Sequence, residues 1–129
     1  MTTRTTSARV ALAALIITLM AACSGEAETP PAEAPLTAES TVIAVSAVDF
    51  AYELSETPSA AGTYIFELTN NGSMGHDVVL EGGDGGSTSI VSPGGTDSFT
   101  VTLEPGTYTL YCSVGNHRAQ GMEVTFTVS

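Results

Sequence analysis

The chain has 129 residues and a formal net charge of −11, from fourteen acidic residues against three basic ones. It contains no lysine, and two of its three arginines, Arg4 and Arg9, stand close to the start, so a single cation is left to neutralise a phosphate backbone and nucleic acid is not expected as a partner. The same charge repels anionic lipid headgroups, so any membrane association has to rest on something other than a basic surface.

Met1 to Ala22 does not read as part of a folded domain. Arg4 and Arg9 give it a positive start, and Val10 to Ala22 is an uncharged run of mostly Ala, Leu and Ile, too short for a stable span and ending in small residues. That is the build of a secretory signal. Its end, Leu19-Met20-Ala21-Ala22-Cys23, resembles a bacterial lipobox, which implies cleavage before Cys23 and lipidation of that thiol. The competing fates of Cys23 are a free thiol after ordinary cleavage, or a disulfide with Cys112 in an oxidising compartment. Residues 23–40 are rich in Glu, Pro and Ala with almost nothing to bury, a composition that stays extended and serves as a tether.

Residues 41–129 are about the size of one small domain. They show no internal repeat and no sustained helical periodicity. Strands are predicted over Thr41 to Val48, around Tyr64 to Leu68 up to Asn70-Asn71-Gly72, over Asp77 to Leu80, through Phe99, Val101 and Leu103, over Gly106 to Cys112, and through Val124, Phe126 and Val128. Gly82-Gly83-Asp84-Gly85-Gly86 and Ser92-Pro93-Gly94-Gly95 read as turns or loops. Short strands of this kind, seven or eight in all, indicate an all-β fold, an antiparallel sandwich. Along the fifth of these runs Tyr108, Leu110 and Cys112 share one face, which the apolar members make the core side.

The stretch Tyr111 to Met122 places a thiol, an imidazole and a thioether on one loop: Cys112, His117 and Met122, at Cys-x4-His-x4-Met spacing. The chain holds one further histidine, His76. Each residue has a structural reading of its own: Met122 as core, His76 as a turn residue, Cys112 as a buried free thiol. Together they form a donor set suited to one copper ion, with Cys112 as thiolate, His76 and His117 as equatorial imidazoles and Met122 as a weak axial thioether. Two histidines and one domain cysteine exclude a second copper centre in this chain, so an enzyme is not expected. The remaining cation, Arg118, either steers a partner's carboxylate or pairs with an acid such as Glu123.

These residues resemble the blue copper proteins, the cupredoxins, over nearly all of residues 41–129. Gly75-His76 matches the upstream ligand, and Leu103-Glu104-Pro105-Gly106-Thr107-Tyr108 matches the turn with a buried tyrosine that precedes the cysteine strand. The loop is longer between Cys112 and His117 than in plastocyanins and closer to azurin-like and auracyanin-like loops. The resemblance implies a Greek-key sandwich, electron transfer through the exposed ring edge of His117, and an apolar patch around it to which Met74, Gly75, Gly115 and Ala119 would contribute. It departs from many relatives at Asp77, where asparagine braces the ligand loop; a carboxylate there is expected to make a similar bond while lowering the potential. The implied role is a monomeric, exported electron carrier, lipid-anchored through Cys23 to the outer face of the cytoplasmic membrane or periplasmic. Its donor and acceptor would be redox proteins such as a basic cytochrome or an oxidase subunit. Copper delivery or storage is the alternative role, and the scarcity of Met and His speaks against it.

Overall fold

Alternation of apolar and polar side chains builds the molecule, because every second residue of a strand faces the same way. The computed structural model describes residues 39–129; the expected signal, Cys23 and most of the expected tether lie outside the described residues. Eight strands follow in order: β1 (Thr41–Val48), β2 (Ala51–Leu54), β3 (Gly62–Asn70), β4 (Val79–Glu81), β5 (Gly86–Ser87), β6 (Thr96–Leu103), β7 (Gly106–Tyr111) and β8 (Glu123–Val128). One sheet has the order β2-β1-β3-β6 and the other β5-β4-β7-β8.

Most pairs are antiparallel. The exception is β1 with β3, which run parallel with Thr41 opposite Tyr64 and Ala47 opposite Asn70. Ile43, Val45 and Ala47 of β1, Phe66 and Leu68 of β3, and Val101 and Leu103 of β6 pack within one buried cluster with Leu80, Leu110, Phe126 and Val128 of the other sheet. Burying a side chain of this size is worth roughly 1.5–3 kcal/mol. Aromatic pairs add to it, Phe66 on Phe99 at 5.3 Å and Tyr108 on Phe126 at 5.7 Å between ring centroids. Tyr108 also closes the turn before β7: its hydroxyl donates to the Glu104 carbonyl at 2.9 Å and accepts from the Glu104 N–H at 3.1 Å.

Three details differ from the alternation read in the sequence. β4 starts at Val79, not Asp77, because the Asp77 carbonyl accepts from the Tyr52 hydroxyl and the Val78 N–H donates to the Thr88 hydroxyl in place of a ladder. Residue Gly86, read as part of a loop, pairs with Leu80 in β5; Phe99 lies 2.5 Å from where a Cβ would stand, so any side chain there would have to displace that ring. The third is β2, joined to β1 by the two-residue turn Asp49-Phe50, with Val48 opposite Ala51. Phe50 takes φ 65° there, a left-handed conformation that costs a non-glycine residue on the order of 1 kcal/mol or more. This turn, the β3–β4 connection and the β7–β8 loop supply the residues of the site described next.

Candidate metal centre

Cys112 occupies the next inward position after Tyr108 and Leu110, as the parity of β7 requires, and is buried to 1% exposure. Its N–H donates to the Met122 carbonyl at 3.1 Å, which ties the two ends of the β7–β8 loop together. Between them the chain reverses at Gly115 (φ 51°) and enters a short 3₁₀ turn, Arg118–Gln120, capped by His117 and left through Gly121 (φ 101°). The His117 N–H donates to the Val114 carbonyl, and the His117 carbonyl accepts from the N–H groups of Gln120 and Met122. Backbone bonds therefore set His117 on the loop.

His76 arrives from the other side. Its backbone exchanges two hydrogen bonds with Val91, at 3.1 and 2.7 Å. The segment before it is held by Asn70, fully buried, whose amide nitrogen donates to the carbonyls of Met74 and Val91, both at 2.7 Å, and whose oxygen accepts from the Gly72 N–H. Asn70 reads in the sequence as a turn residue; its role as a pillar of the ligand segment is visible only in three dimensions.

The two elements bring three donors together. Sγ of Cys112 lies 3.5 Å from Nδ1 of His117 and 3.8 Å from Nδ1 of His76, and the donor atoms of these residues all fall within 4.8 Å of one another. The imidazole rings stand 5.0 Å apart. Met122 is completely buried in the same cluster as Cys112, and its main chain bonds to both Cys112 and His117.

Burial pushes the Cys112 thiol up, against the N–H groups of Asp77 and Val114, which lower it; the Asp77 carboxylate raises it again. A thiolate here thus needs a nearby positive charge, which a metal ion supplies. One soft sulfur with two imidazoles, buried and without a carboxylate among them, fits copper. Structural zinc takes four thiolate or imidazole donors, and a thioether is no substitute for the fourth.

The surroundings brace this set. Asp77 accepts from the Ser113 N–H at 2.7 Å and from the Ser113 hydroxyl, linking the residue after His76 to the residue after Cys112. The Tyr52 hydroxyl, which sequence reading missed, donates to the Asp77 carbonyl; burial first, and then the neighbouring Cys112, push its ionisation far up. Two further residues escaped notice in the sequence. Asp49 lies 3.3 Å from Nε2 of His76, and Phe50 packs edge-on against His117 at 5.1 Å. Arg118 makes ion pairs with Glu123 at 2.9 Å, as its spacing suggests, and with Glu81 at 2.6 Å, and lies over the Tyr111 ring. Cys112 forms no disulfide among the described residues.

A family model, the cupredoxin-like domain, matches residues 11–125. The chain belongs to the cupredoxins. Solved structures share its fold: dithionite-reduced auracyanin from Roseiflexus castenholzii is 23% identical, with a TM-score of 0.61, over 69% of this chain and 97% of that one. Auracyanin A of Chloroflexus aurantiacus, a blue copper protein, is 19% identical with a TM-score of 0.60, over 70% and 99%. Reduced rusticyanin is 21% identical with a TM-score of 0.58, over 70% and 79%. A search of curated proteins returned no match. This cupredoxin thus keeps the family's sandwich at low identity, with two histidines and a cysteine gathered at one place in it.

Proposed function

We propose that this cupredoxin is a mononuclear type 1 copper electron carrier. The observation that carries the reading is the cluster of His76, Cys112 and His117, three buried donors within 4.8 Å, in a cupredoxin domain. His76 and His117 would hold the ion through Nδ1, Cys112 through its thiolate and Met122 through a weak axial thioether. Copper bound there supplies a one-electron couple between Cu(I) and Cu(II).

The protein's own part is to keep these donors still. Paired backbone bonds at His76, the Cys112–Met122 and His117–Met122 bonds and the Asp77–Ser113 bridge fix the ligand segments to one another. A rigid donor set lets the electron move with little rearrangement. The burial of His76, Cys112 and Met122, at 0–1% exposure, also favours a resident ion over one handed to another protein. His117 is the electron exit in this reading. The residue is 6% exposed, and its Nε2 has no partner among the described residues, where no buried side-chain nitrogen goes unpaired. Phe50, Met74 and Val114 lie half-buried and Gly115 and Ala119 exposed, in keeping with a mostly apolar contact face.

The lipobox-like ending at Cys23 supports export and lipid anchorage, with residues 23–40 as the tether. The acidic balance supports steering toward basic redox partners, a cytochrome or an oxidase subunit, near the membrane. The test is voltammetry of the copper-loaded 25–129 fragment. A reversible one-electron wave, together with rapid oxidation or reduction by a basic cytochrome that slows as salt rises, is the expected result. Copper that is released on reduction would refute the carrier reading in favour of copper delivery.

A further inference from the structure

The buried face of His76 ends on a carboxylate. His76 is 0% exposed, and its Nε2 lies 3.3 Å from Oδ1 of Asp49, at the tip of the β1–β2 turn. A carboxylate facing a neutral imidazole can only accept, so Nε2 carries the proton and Nδ1 offers its lone pair. Nδ1 is the nitrogen that faces Cys112 Sγ.

Two independent features hold this contact in place. Asp49 is already locked by Ser73, whose N–H donates to Oδ1 at 2.8 Å and whose hydroxyl donates to Oδ2 at 2.6 Å. Gly72 leaves the space between the two groups open: a Cβ there would stand 2.6 Å from Asp49 Oδ1 and 2.8 Å from His76 Nε2. Any side chain at position 72 would therefore push the carboxylate and the imidazole apart. The φ of Gly72 is not in the left-handed region, so it is the close approach that requires glycine here.

We propose that Asp49 is a positioning residue of the metal centre, which fixes His76 in its Nε2–H tautomer and presents Nδ1 to copper. Outer carboxylates of this kind orient an imidazole and raise its basicity as a ligand, and their loss costs about 10–100-fold in metal affinity. The proposal rests on His76 being a copper ligand, although its tautomer statement holds for the protein without metal. Asp49 meets the His76 ring at Nε2, the nitrogen turned away from copper, and acts only through that ring.

Two readouts test it. Nitrogen-15 NMR of the His76 ring in the metal-free protein reports the tautomer, and competition with a copper(I) chelator reports affinity. Wild type is expected to hold the Nε2–H form. Asp49→Ala is expected to populate the Nδ1–H form and to lose about 10–100-fold in affinity. Asp49→Asn keeps an acceptor oxygen and should restore the tautomer and most of the affinity, whereas Gly72→Ala, with the carboxylate retained, should mimic Asp49→Ala. Wild-type tautomer and affinity in folded Asp49→Ala would overturn the proposal. So would the Nδ1–H form in wild type. If Asp49→Ala does not fold, Gly72→Ala decides by the same criteria. A wild-type protein with the Nε2–H form but no copper binding would refute the copper reading and leave the Asp49–His76 pairing standing.

Discussion

Oδ1 of Asp77 accepts the backbone N–H of Ser113 at 2.7 Å. One bond thereby joins the neighbour of His76 to the neighbour of Cys112, and it does so with a carboxylate where many relatives place an amide. An asparagine oxygen would accept the same N–H. The negative charge is the difference, and beside the sulfur it favours copper(II). Asp77→Asn is therefore expected to raise the reduction potential by on the order of 50–100 mV, from a Coulomb term over several ångströms at an effective dielectric constant near 20 or above. Potentiometric titration checks it; an unchanged potential would show that the charge is neutralised by protonation or solvent.

Met122 is the donor whose role the geometry supports least directly, since its fully buried side chain suits a core residue as well as a ligand. Leucine has nearly the same volume, and such exchanges in a core usually cost under about 1.5 kcal/mol. Met122→Leu should fold, retain the thiolate-to-copper band and show a higher potential, because the site loses its axial donor and the three-coordinate set that remains suits copper(I) better than copper(II). A potential identical to wild type would assign Met122 to the core alone.

Tyr108 tests the frame rather than the centre. Its hydroxyl makes both hydrogen bonds to Glu104, and Tyr108→Phe leaves that backbone pair without them. Denaturant melts should show a loss of about 1–3 kcal/mol, with the copper spectrum unchanged.

Acid stability should depend in part on Asp97. It accepts from the N–H and hydroxyl of Ser89 at 2.7 Å and from the Ser98 N–H at 2.9 Å, and these bonds, led by the Ser89 hydroxyl, hold its carboxyl below the ordinary value of 3.8. A carboxyl lowered by folding contributes stability that is complete above its unfolded value and is lost as pH falls through the folded one. Asp97→Asn should therefore lower stability at neutral pH and flatten its decline below about pH 4. Equilibrium unfolding at a series of pH values measures the slope.

How much of this was legible in the sequence depended on how local the signal was. The alternation of β6 and β8 was legible as period two, and the inward Cys112 follows from the parity of Tyr108 and Leu110, because neighbouring residues alone set which face a side chain takes. The donors could be named because thiol, imidazole and thioether are scarce in this chain. Glu123 as a partner of Arg118 was likewise within reach of spacing. What escaped notice depends on chain segments far apart in sequence. Asp49 is 27 residues from His76, Tyr52 is 25 from Asp77, and the parallel pairing of β1 with β3 leaves no mark on either strand. β5 was hidden because its Gly86 resembles a turn residue, while the reason for glycine there is the ring of Phe99.

The most direct test of the account is the visible spectrum of the 25–129 fragment after one equivalent of copper(II), recorded beside Cys112→Ser. The account predicts an intense blue or green thiolate-to-copper band that ascorbate bleaches and that Cys112→Ser lacks. A colourless wild-type protein, or one with only weak copper absorption, would contradict it, since His76, Cys112 and His117 would then not act together on one ion.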